Sequence, residues 1–212
     1  MKYADRQQAG LILADLLKKY AHRKDTIVLA LPRGGVPVAY EVAQKLVLPL
    51  DIFIVRKLGV PGHAELAMGA IASGNVAVFN EEMIELLHIK NSAIDDVLQE
   101  EQKELARREL AYRGNKSYPE LAGKTIILVD DGIATGYSMR AALASLAQKK
   151  PAAIIVAVPV AARATCRELA GLVTEIICPL QPNDFYAVGL WYDDFSQTTD
   201  EEVMRLLELH SQ

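Results

Sequence analysis

The sequence has few cysteines, few aromatic residues and no long apolar run. Cys166 and Cys178 are its two cysteines, and neither lies beside histidines at a metal-ligand spacing. The most apolar stretch, PAAIIVAVPVAA from Pro151, is too short to span a membrane and contains a proline. Residues 1–10 lack the apolar segment of a signal peptide. These absences predict a reduced, soluble, cytoplasmic protein with no membrane partner.

Positive charge is not in excess either. The chain carries 23 Lys and Arg against 27 Asp and Glu, a net charge of -4, so we expect no nucleic-acid partner. Hydrophobic residues make up 51% and charged residues 24%, the balance of a soluble globular protein. At 212 residues the chain suits one domain with an elaboration.

Strand and helix patterns alternate along the chain. A β-branched run at 26–31, the turn PRGG, a helix pattern at 36–46 and a buried strand pattern at 50–57 form a βαβ unit, which predicts a parallel sheet. A first helix over 5–20 has Asp5 as its cap. Later segments continue the alternation, with strands at 125–130, 152–160 and 174–180, helices at 136–149 and 162–171, and a last helix from Asp200. We therefore predict one α/β domain over 1–212, with an open, mainly parallel sheet of about five strands flanked by helices.

Residues 59–119 interrupt this alternation. Two apolar arms around Ser73-Gly74-Asn75 predict a hairpin, followed by a helix at EEMIELLHI. A long charged helix starts near Asn91 or Ser92 and stops at Gly114-Asn115. This hairpin-plus-helix insertion could serve as a lid, a dimer surface or a second-substrate pocket.

The stretch IILVDDGIATGYS places two carboxylates, Asp130 and Asp131, at the end of a buried strand. In a parallel sheet, ligands bind at the carboxyl ends of the strands, where loops enter helices and offer N–H groups to anions. Carboxylates accept hydrogen bonds from sugar hydroxyls or hold magnesium through water. A ribose 5-phosphate matches both parts of the stretch, because its hydroxyls suit the two carboxylates and its phosphate suits the loop that follows them. The alternatives are a phospho-acceptor receiver and a plain helix cap, while the P-loop and dinucleotide patterns are absent.

The motif VDDGIATG resembles the phosphoribosyl pyrophosphate (PRPP) binding motif of the type I phosphoribosyltransferases. The resemblance covers about 26–195 and implies the fold of that family, a transferase activity and Mg²⁺ as cofactor. It implies that Asp130 and Asp131 bind the ribose hydroxyls, directly or through the metal. The 5-phosphate would be held by a loop of six residues, namely Ile133, Ala134, Thr135, Gly136, Tyr137 and Ser138.

The resemblance extends to the pyrophosphate loop and the catalytic loop. LPRGG resembles the pyrophosphate loop, whose backbone is unusual, so Arg33, Gly34 and Gly35 would bind pyrophosphate, and a plain turn is the alternative interpretation. Arg56-Lys57 resemble the basic pair that precedes the mobile catalytic loop, and surface charge is the alternative interpretation. LGVPGHAELAMG takes the place of that loop, with Gly59 and Gly62 as hinges and His63 and Glu65 as acid–base candidates.

Residues 180–212 resemble the base-binding segment of purine-salvage members. Aligned at Gly189, this segment places Tyr186 at the position that stacks on the base and Asp193 at the aspartate that approaches the metal. Phe185 and Trp191 are the alternatives for stacking, and ordinary packing is the alternative for all of these aromatic residues.

Position 134 departs from one branch of the family. Hypoxanthine-guanine members have an aspartate there, whereas this chain has Ala134, as adenine and uracil members do. The residues leave adenine, uracil, xanthine and a non-base amine open as acceptors, in nucleotide salvage or a related role. The alternatives to a transferase are a PRPP or nucleotide sensor and a hydrolase on the same scaffold. Family members often pair, which makes a homodimer an expectation.

Overall fold

The computed structural model of the protein describes residues 2–114 and 116–211; the side chains of residues 64 and 65 lie outside that description, as does Asn115 of the predicted helix stop. The chain divides into two compact units, Met1–Phe53 with Glu120–Gly136 and Lys150–Gln212, and Ile54–Pro119 with Tyr137–Lys149. In chain order the elements are α1 (Arg6–Leu16), β1 (Thr26–Ala30), α2 (Gly35–Leu46), β2 (Leu50–Ile52), β3 (Val55–Val60), β4 (His63–Ala72), β5 (Val76–Phe79), α3 (Glu81–Leu86), α4 (Asn91–Arg113), β6 (Thr125–Val129), α5 (Tyr137–Gln148), β7 (Ala153–Ala157), α6 (Arg163–Ala170), β8 (Glu175–Ile177) and α7 (Asp200–Ser211), with 3-10 turns at Lys18–Tyr20 and Val188–Trp191.

The first unit contains a five-stranded parallel sheet in the order β2-β1-β6-β7-β8. Every residue of β1 and β6 is buried, because a parallel sheet that is covered on both faces needs apolar side chains on both. This confirms the predicted fold class and the βαβ unit formed by β1, α2 and β2. Cys166 and Cys178 are buried free thiols.

Helix α1 begins where the cap at Asp5 predicts. The Asp5 side chain accepts a hydrogen bond from the N–H of Gln8 at 2.8 Å, and the Gln8 side chain accepts one from the N–H of Ala4 at 2.7 Å. This reciprocal arrangement satisfies two backbone donors at the start of the helix. It also fixes the direction in which Arg6, the first helical residue, leaves the backbone.

The second unit contains a three-stranded antiparallel sheet in the order β3-β4-β5, together with α3, α4 and α5. The predicted hairpin is confirmed, since Ala72 pairs with Val76 across a turn in which Gly74 and Asn75 have positive φ. Tyr118 contacts the Ser73 hydroxyl at 2.8 Å and donates to Glu109 at 2.9 Å, which ties the turn to α4. None of the described helices is long and apolar enough to cross a membrane.

The prediction of one strand over 50–57 is wrong. The segment forms two strands, β2 in the parallel sheet and β3 in the antiparallel sheet. The change of sheet falls between two adjacent residues: Phe53 donates its N–H to Ala30 O, whereas Ile54 pairs with Ser73. The residues at the break, Ile52, Phe53 and Ile54, are all apolar and buried, so the hydrophobic pattern alone could not reveal it.

The prediction of a loop over 58–69 is also wrong, because the segment is the hairpin formed by β3 and β4. Leu58 and Met68 are buried, and Gly59 lies within a strand opposite Ala67. The chain reverses at Pro61-Gly62, where Gly62 has φ +77°. Proline followed by glycine suits the central positions of a tight turn. His63 is exposed and Glu65 belongs to β4, but the side chain of Glu65 lies outside the described residues.

Candidate active site

Two loops of the first unit meet where the strand order reverses. Strand β2 lies on one side of the neighbouring pair β1 and β6, and β7 and β8 lie on the other. The loop 31–35 follows β1, and the loop 130–136 follows β6. The N–H of Leu31 donates to Val129 O at 2.9 Å, so the two strands are still paired where the loops begin. Such a reversal point is where open parallel sheets bind ligands.

Because Gly34 and Gly35 have no side chain, the backbone of the first loop packs directly against Asp130 and Asp131 of the second loop. A Cβ placed on Gly34 would lie 2.0 Å from Asp131 Oδ2, and one on Gly35 would lie 2.8 Å from Val129 O and 3.0 Å from the Cα of Asp130. Any larger residue would therefore push the loops apart. The peptide bond between Pro32 and Arg33 is cis.

The loop that follows the acidic pair has buried residues at both ends and exposed residues between them. Ile133 donates its N–H to Val160 O at 2.9 Å, and the Thr165 hydroxyl donates to Ala134 O at 3.1 Å. Gly136 has φ +81°, a conformation that glycine adopts without strain. Ala134 and Thr135 are exposed, whereas Ile133 and Gly136 are buried. The next two residues, Tyr137 and Ser138, begin α5 in the second unit.

The two carboxylates of the site are partly buried and close together. Asp131 donates its N–H to Asp130 Oδ1 at 2.8 Å. Burial and the neighbouring Asp131 carboxylate raise the pKa of Asp130 well above its ordinary value. Burial also raises the pKa of Asp131, although the Arg6 guanidinium opposes that shift. A pair of carboxylates kept in such surroundings destabilises the fold, which is typical of groups retained for binding or catalysis.

Arg6 and Tyr192 join this site, and sequence reasoning missed both. Arg6 Nε donates to Asp131 Oδ2 at 2.9 Å, and the Tyr192 hydroxyl donates to Asp131 O at 2.6 Å. A cation in the first turn of a helix is disfavoured by the helix dipole, so Arg6 directly after its cap was a hint of a specific partner. Tyr192 lies within the C-terminal segment 180–212, but nothing in its spacing distinguishes it from the other aromatic residues there.

The predicted basic residues lie in different units. Arg33 is in the first unit, where its Nη1 lies 3.7 Å from the Asp200 carboxylate at the start of α7. Arg56 is in the second unit, where its Nε donates to Glu101 on α4 at 2.7 Å. Lys57 lies next to it on β3, opposite Ala70, and is exposed. The roles of these three residues in binding pyrophosphate stay predictions.

The predicted aromatic residues of the C-terminal segment have different surroundings. Tyr186 is 85% exposed, so its ring is available to a ligand. Trp191 instead packs against a cluster that contains Tyr3 and Tyr192, and its buried Nε1 has no acceptor within residues 2–114 and 116–211. Asp193 is exposed and donates its N–H to Tyr3 O at 2.8 Å. Phe185 packs against the same cluster, so Tyr186 is the most exposed of the three stacking candidates, and its role stays a prediction.

The donor set fits a metal ion that arrives with its ligand. No cluster of three or more His, Cys, Asp or Glu side chains suited to a metal occurs in the described part of the chain. Magnesium is commonly bound through one or two carboxylates plus the phosphates of a substrate. Asp130 and Asp131 can supply those carboxylates, and a pyrophosphate would have to supply the remaining oxygens.

A parallel sheet with two glycine-containing loops and paired carboxylates at its reversal point places the protein in the α/β class, whose ligands commonly bind at the strand ends. Comparison with known families gives the specific class. The model of the phosphoribosyl transferase domain matches residues 3–194, and the chain belongs to that family.

Known proteins of similar sequence and structure agree with this class. The chain is 40% identical over 206 residues to a candidate phosphoribosyl transferase of Mycobacterium tuberculosis, a match over 97% of this chain and 46% of that protein. It is 38% identical to the protein TT1426 of Thermus thermophilus, whose crystal structure matches with a TM-score of 0.80 over 98% of both chains. A hypoxanthine-guanine phosphoribosyltransferase of Bacillus anthracis shares the fold at 12% identity, with a TM-score of 0.50 over 87% of this chain and 85% of that one. The chain thus spans about half the length of the curated relative that it matches.

Proposed function

We propose that the protein transfers the 5-phosphoribosyl group of PRPP to a nitrogen of a nucleobase or similar acceptor, with release of pyrophosphate. The contact between the loops 31–35 and 130–136 carries this proposal. Gly34 and Gly35 place one loop directly against Asp130 and Asp131 of the other. Two anion-binding loops beside a pair of carboxylates match a ligand that carries a phosphate, a diphosphate and a sugar diol.

Each part of PRPP has a complementary group in this arrangement. Asp130 and Asp131 accept hydrogen bonds from the ribose hydroxyls, and the loop 133–138 binds the 5-phosphate. Loop 31–35 binds the pyrophosphate, with Arg33 as its cation. Exposure of Ala134 and Thr135 supports the second assignment, because a phosphate can reach them. The resemblance adds Arg56 and Lys57 for pyrophosphate.

Magnesium belongs to the proposal as a partner of the substrate. When bound, Mg²⁺ neutralises charge on the departing pyrophosphate. Asp130 and Asp131 are the side chains that would hold it, with Asp193 as the further ligand that the resemblance implies. Their contribution in this chain is to accept hydrogen bonds and to fix the sugar.

The reaction needs positioning and charge stabilisation. An acceptor nitrogen attacks C1 of the ribose as the bond to pyrophosphate breaks, so positive charge develops on the sugar ring. Carboxylates fixed beside the ribose stabilise the positive charge on the ring, and the Arg33 guanidinium stabilises the negative charge on the leaving pyrophosphate. Glu65 is the acid–base candidate from the resemblance.

The C-terminal segment is the proposed acceptor site. Tyr186 offers an exposed ring on which a flat heterocycle can stack. Ala134 has no carboxylate to assist a 6-oxopurine, which favours adenine, uracil or a non-base amine over hypoxanthine and guanine. Such an activity would serve nucleotide salvage or a related pathway.

The test is pyrophosphate release from Mg-PRPP across a panel of purines, pyrimidines and small amines. The comparison variant is Asp130→Asn with Asp131→Asn. We expect release with one acceptor, reduced at least about 100-fold in the variant because both sugar-binding carboxylates become neutral amides.

A second acidic pair provides the matched control. Asp95 and Asp96 are adjacent and exposed on α4 in the second unit, so Asp95→Asn with Asp96→Asn makes the same chemical change at residues to which the proposal gives no role. This control should keep the wild-type rate. Release without any acceptor would instead identify a hydrolase. PRPP binding without release would identify a sensor, and absence of binding would refute the proposal.

A further inference from the structure

Arg6 connects the Asp131 carboxylate to the C-terminal segment. Its Nε donates to Asp131 Oδ2 at 2.9 Å, and its Nη1 donates to Ser196 O at 2.8 Å. Its guanidinium carbon lies 4.0 Å from the centre of the Phe195 ring. A planar fork can make these three contacts at once, which a lysine ammonium cannot do in the same geometry.

The surroundings of Arg6 are fixed on both sides. The cap at Asp5 sets the direction of the helix, and the preceding residues pair with the C-terminal segment. Tyr3 donates its N–H to Trp191 O at 2.9 Å, and Ala4 O accepts the N–H of Asp194 at 2.8 Å. The side chain of Arg6 is 12% exposed, so little of it is available to water. An ordered arginine loses little further freedom when it holds a carboxylate in place.

The Asp131 carboxylate is closely packed by Gly34 and Arg6. Its Oδ2 lies 2.0 Å from the position of a Cβ on Gly34, and Arg6 Nε lies 3.3 Å from the same position. The carboxylate therefore occupies the space beside Gly34, with the guanidinium next to it. An ionised carboxylate has about four acceptor positions, so one bond from Arg6 leaves capacity for sugar hydroxyls.

We propose that Arg6 is a positioning residue, which holds the Asp131 carboxylate in its binding orientation and joins it to the C-terminal segment. This inference rests on the proposed function, because it assigns Asp131 to the ribose of PRPP. Arg6 acts through Asp131, so removing it should matter only while Asp131 can accept a hydrogen bond from the sugar.

A double-mutant cycle tests this dependence, with Mg-PRPP binding measured by calorimetry. The four proteins are the wild type, Arg6→Met, Asp131→Ala and the double variant. We expect Arg6→Met to weaken PRPP binding about tenfold or more in the wild-type background and less than about twofold when Asp131 is already Ala, because alanine has no acceptor for Arg6 or the sugar. Arg6→Lys keeps the charge but loses the fork, and it should recover part of the affinity.

Two further measurements separate positioning from folding. Arg23 also donates to an aspartate, Asp25, but on the surface of the first unit, so Arg23→Met removes the same kind of side chain and should leave PRPP binding unchanged. Thermal unfolding of each variant shows whether it is folded at the binding temperature. If Arg6→Met does not fold, the cycle is run with Arg6→Lys, whose smaller effect must also disappear in the Asp131→Ala background.

The outcomes separate this inference from the proposed function. Equal losses from Arg6→Met in both backgrounds would mean that Arg6 only stabilises the fold, and would overturn the positioning role while leaving PRPP binding intact. No loss from Arg6→Met would overturn it as well. If the wild type itself does not bind PRPP, the proposed function fails and the inference fails with it.

Discussion

Carboxylates in the two units have opposite surroundings. In the second unit, Glu104 on α4 accepts from Arg107 at 2.7 Å and from Arg108 at 2.8 Å, and those two arginines lower its pKa to about 2. In the first unit, burial and Asp131 raise the pKa of Asp130 well above its ordinary value. Ionisation of Glu104 therefore stabilises the folded state, whereas ionisation of Asp130 destabilises it. Carboxylates kept in an environment that raises their pKa are typical of functional sites, so this difference supports the proposed role of the end of β6.

The largest effect should follow from closing the space beside Asp131. Gly34→Ala places a methyl group 2.0 Å from Asp131 Oδ2, so the carboxylate and Arg6 must move. We expect PRPP turnover to fall about 100-fold, since a displacement near 1 Å at a reacting centre has an effect of that order. Steady-state pyrophosphate release measures it.

Gly171→Ala is the matched control for this variant. Gly171 ends α6 with φ -75°, and a Cβ there would meet nothing within 4 Å. Its rate should equal that of the wild type. If Gly34→Ala is as active as this control, Asp131 does not need its observed position, and the contrast between the two units loses its functional meaning.

The next largest effect is on stability, which should increase when Asp130 is replaced. Because the pKa of Asp130 is raised in the folded state, its contribution to stability is fully present below the ordinary aspartate pKa of 3.8 and is lost as pH rises through the folded value. Asp130→Asn should therefore raise the free energy of unfolding at pH 7 by about 1 kcal/mol or more, equivalent to about 2–4 °C.

Thermal unfolding in EDTA between pH 4 and pH 8 checks this prediction. The midpoint of the variant minus that of the wild type should grow as pH rises, and should be smallest near pH 4. A difference that is constant with pH, or negative at pH 7, would show that Asp130 is not held in a destabilising environment.

The smallest effect is expected on α4. The pKa of Glu104 is lowered, so its contribution is present above the ordinary value of 4.5 and is lost as pH falls toward about 2. Glu104→Gln should lower the free energy of unfolding at pH 7 by less than about 1 kcal/mol, because pairs on a helix surface contribute little. Urea unfolding at pH 7 and pH 3 measures it, with PRPP binding unchanged. A larger loss at pH 3 than at pH 7 would contradict the assigned sign.

Local pattern was sufficient for most elements. The long helix α4 and the capped helix α1 begin where their sequences predict, because their charged spacing and the Asp5 cap act within one turn. The hairpin at Gly74-Asn75 was predicted for the same reason. The two errors, at 50–57 and 58–69, both concern how strands pair. Strand β2 pairs with β1 across the helix α2, which no local pattern shows, whereas β3 and β4 form a hairpin for which the Pro61-Gly62 turn was a local signal.

The candidate site divides in the same way. The loop after β6 was predicted from its own residues, since glycine, threonine and paired aspartates have limited reasons to follow a buried strand, whereas the role of the loop after β1 came from the resemblance. Arg6 was missed because its partner, Asp131, lies 125 residues further along the chain. The Tyr192 hydroxyl, which reaches Asp131 O across 61 residues, was missed for the same reason.

The sequence by itself determined the class of fold, the two loops and the acidic pair, because hydrophobic period, caps and turn residues act over a few neighbouring positions. Only the tertiary structure decided that Gly34 lies against Asp131, that Arg6 holds that carboxylate and that Trp191 packs in a cluster while Tyr186 is exposed. These are contacts between segments far apart in sequence. Their distances are set by how the strands pair and the helices pack, which no single stretch of the chain encodes.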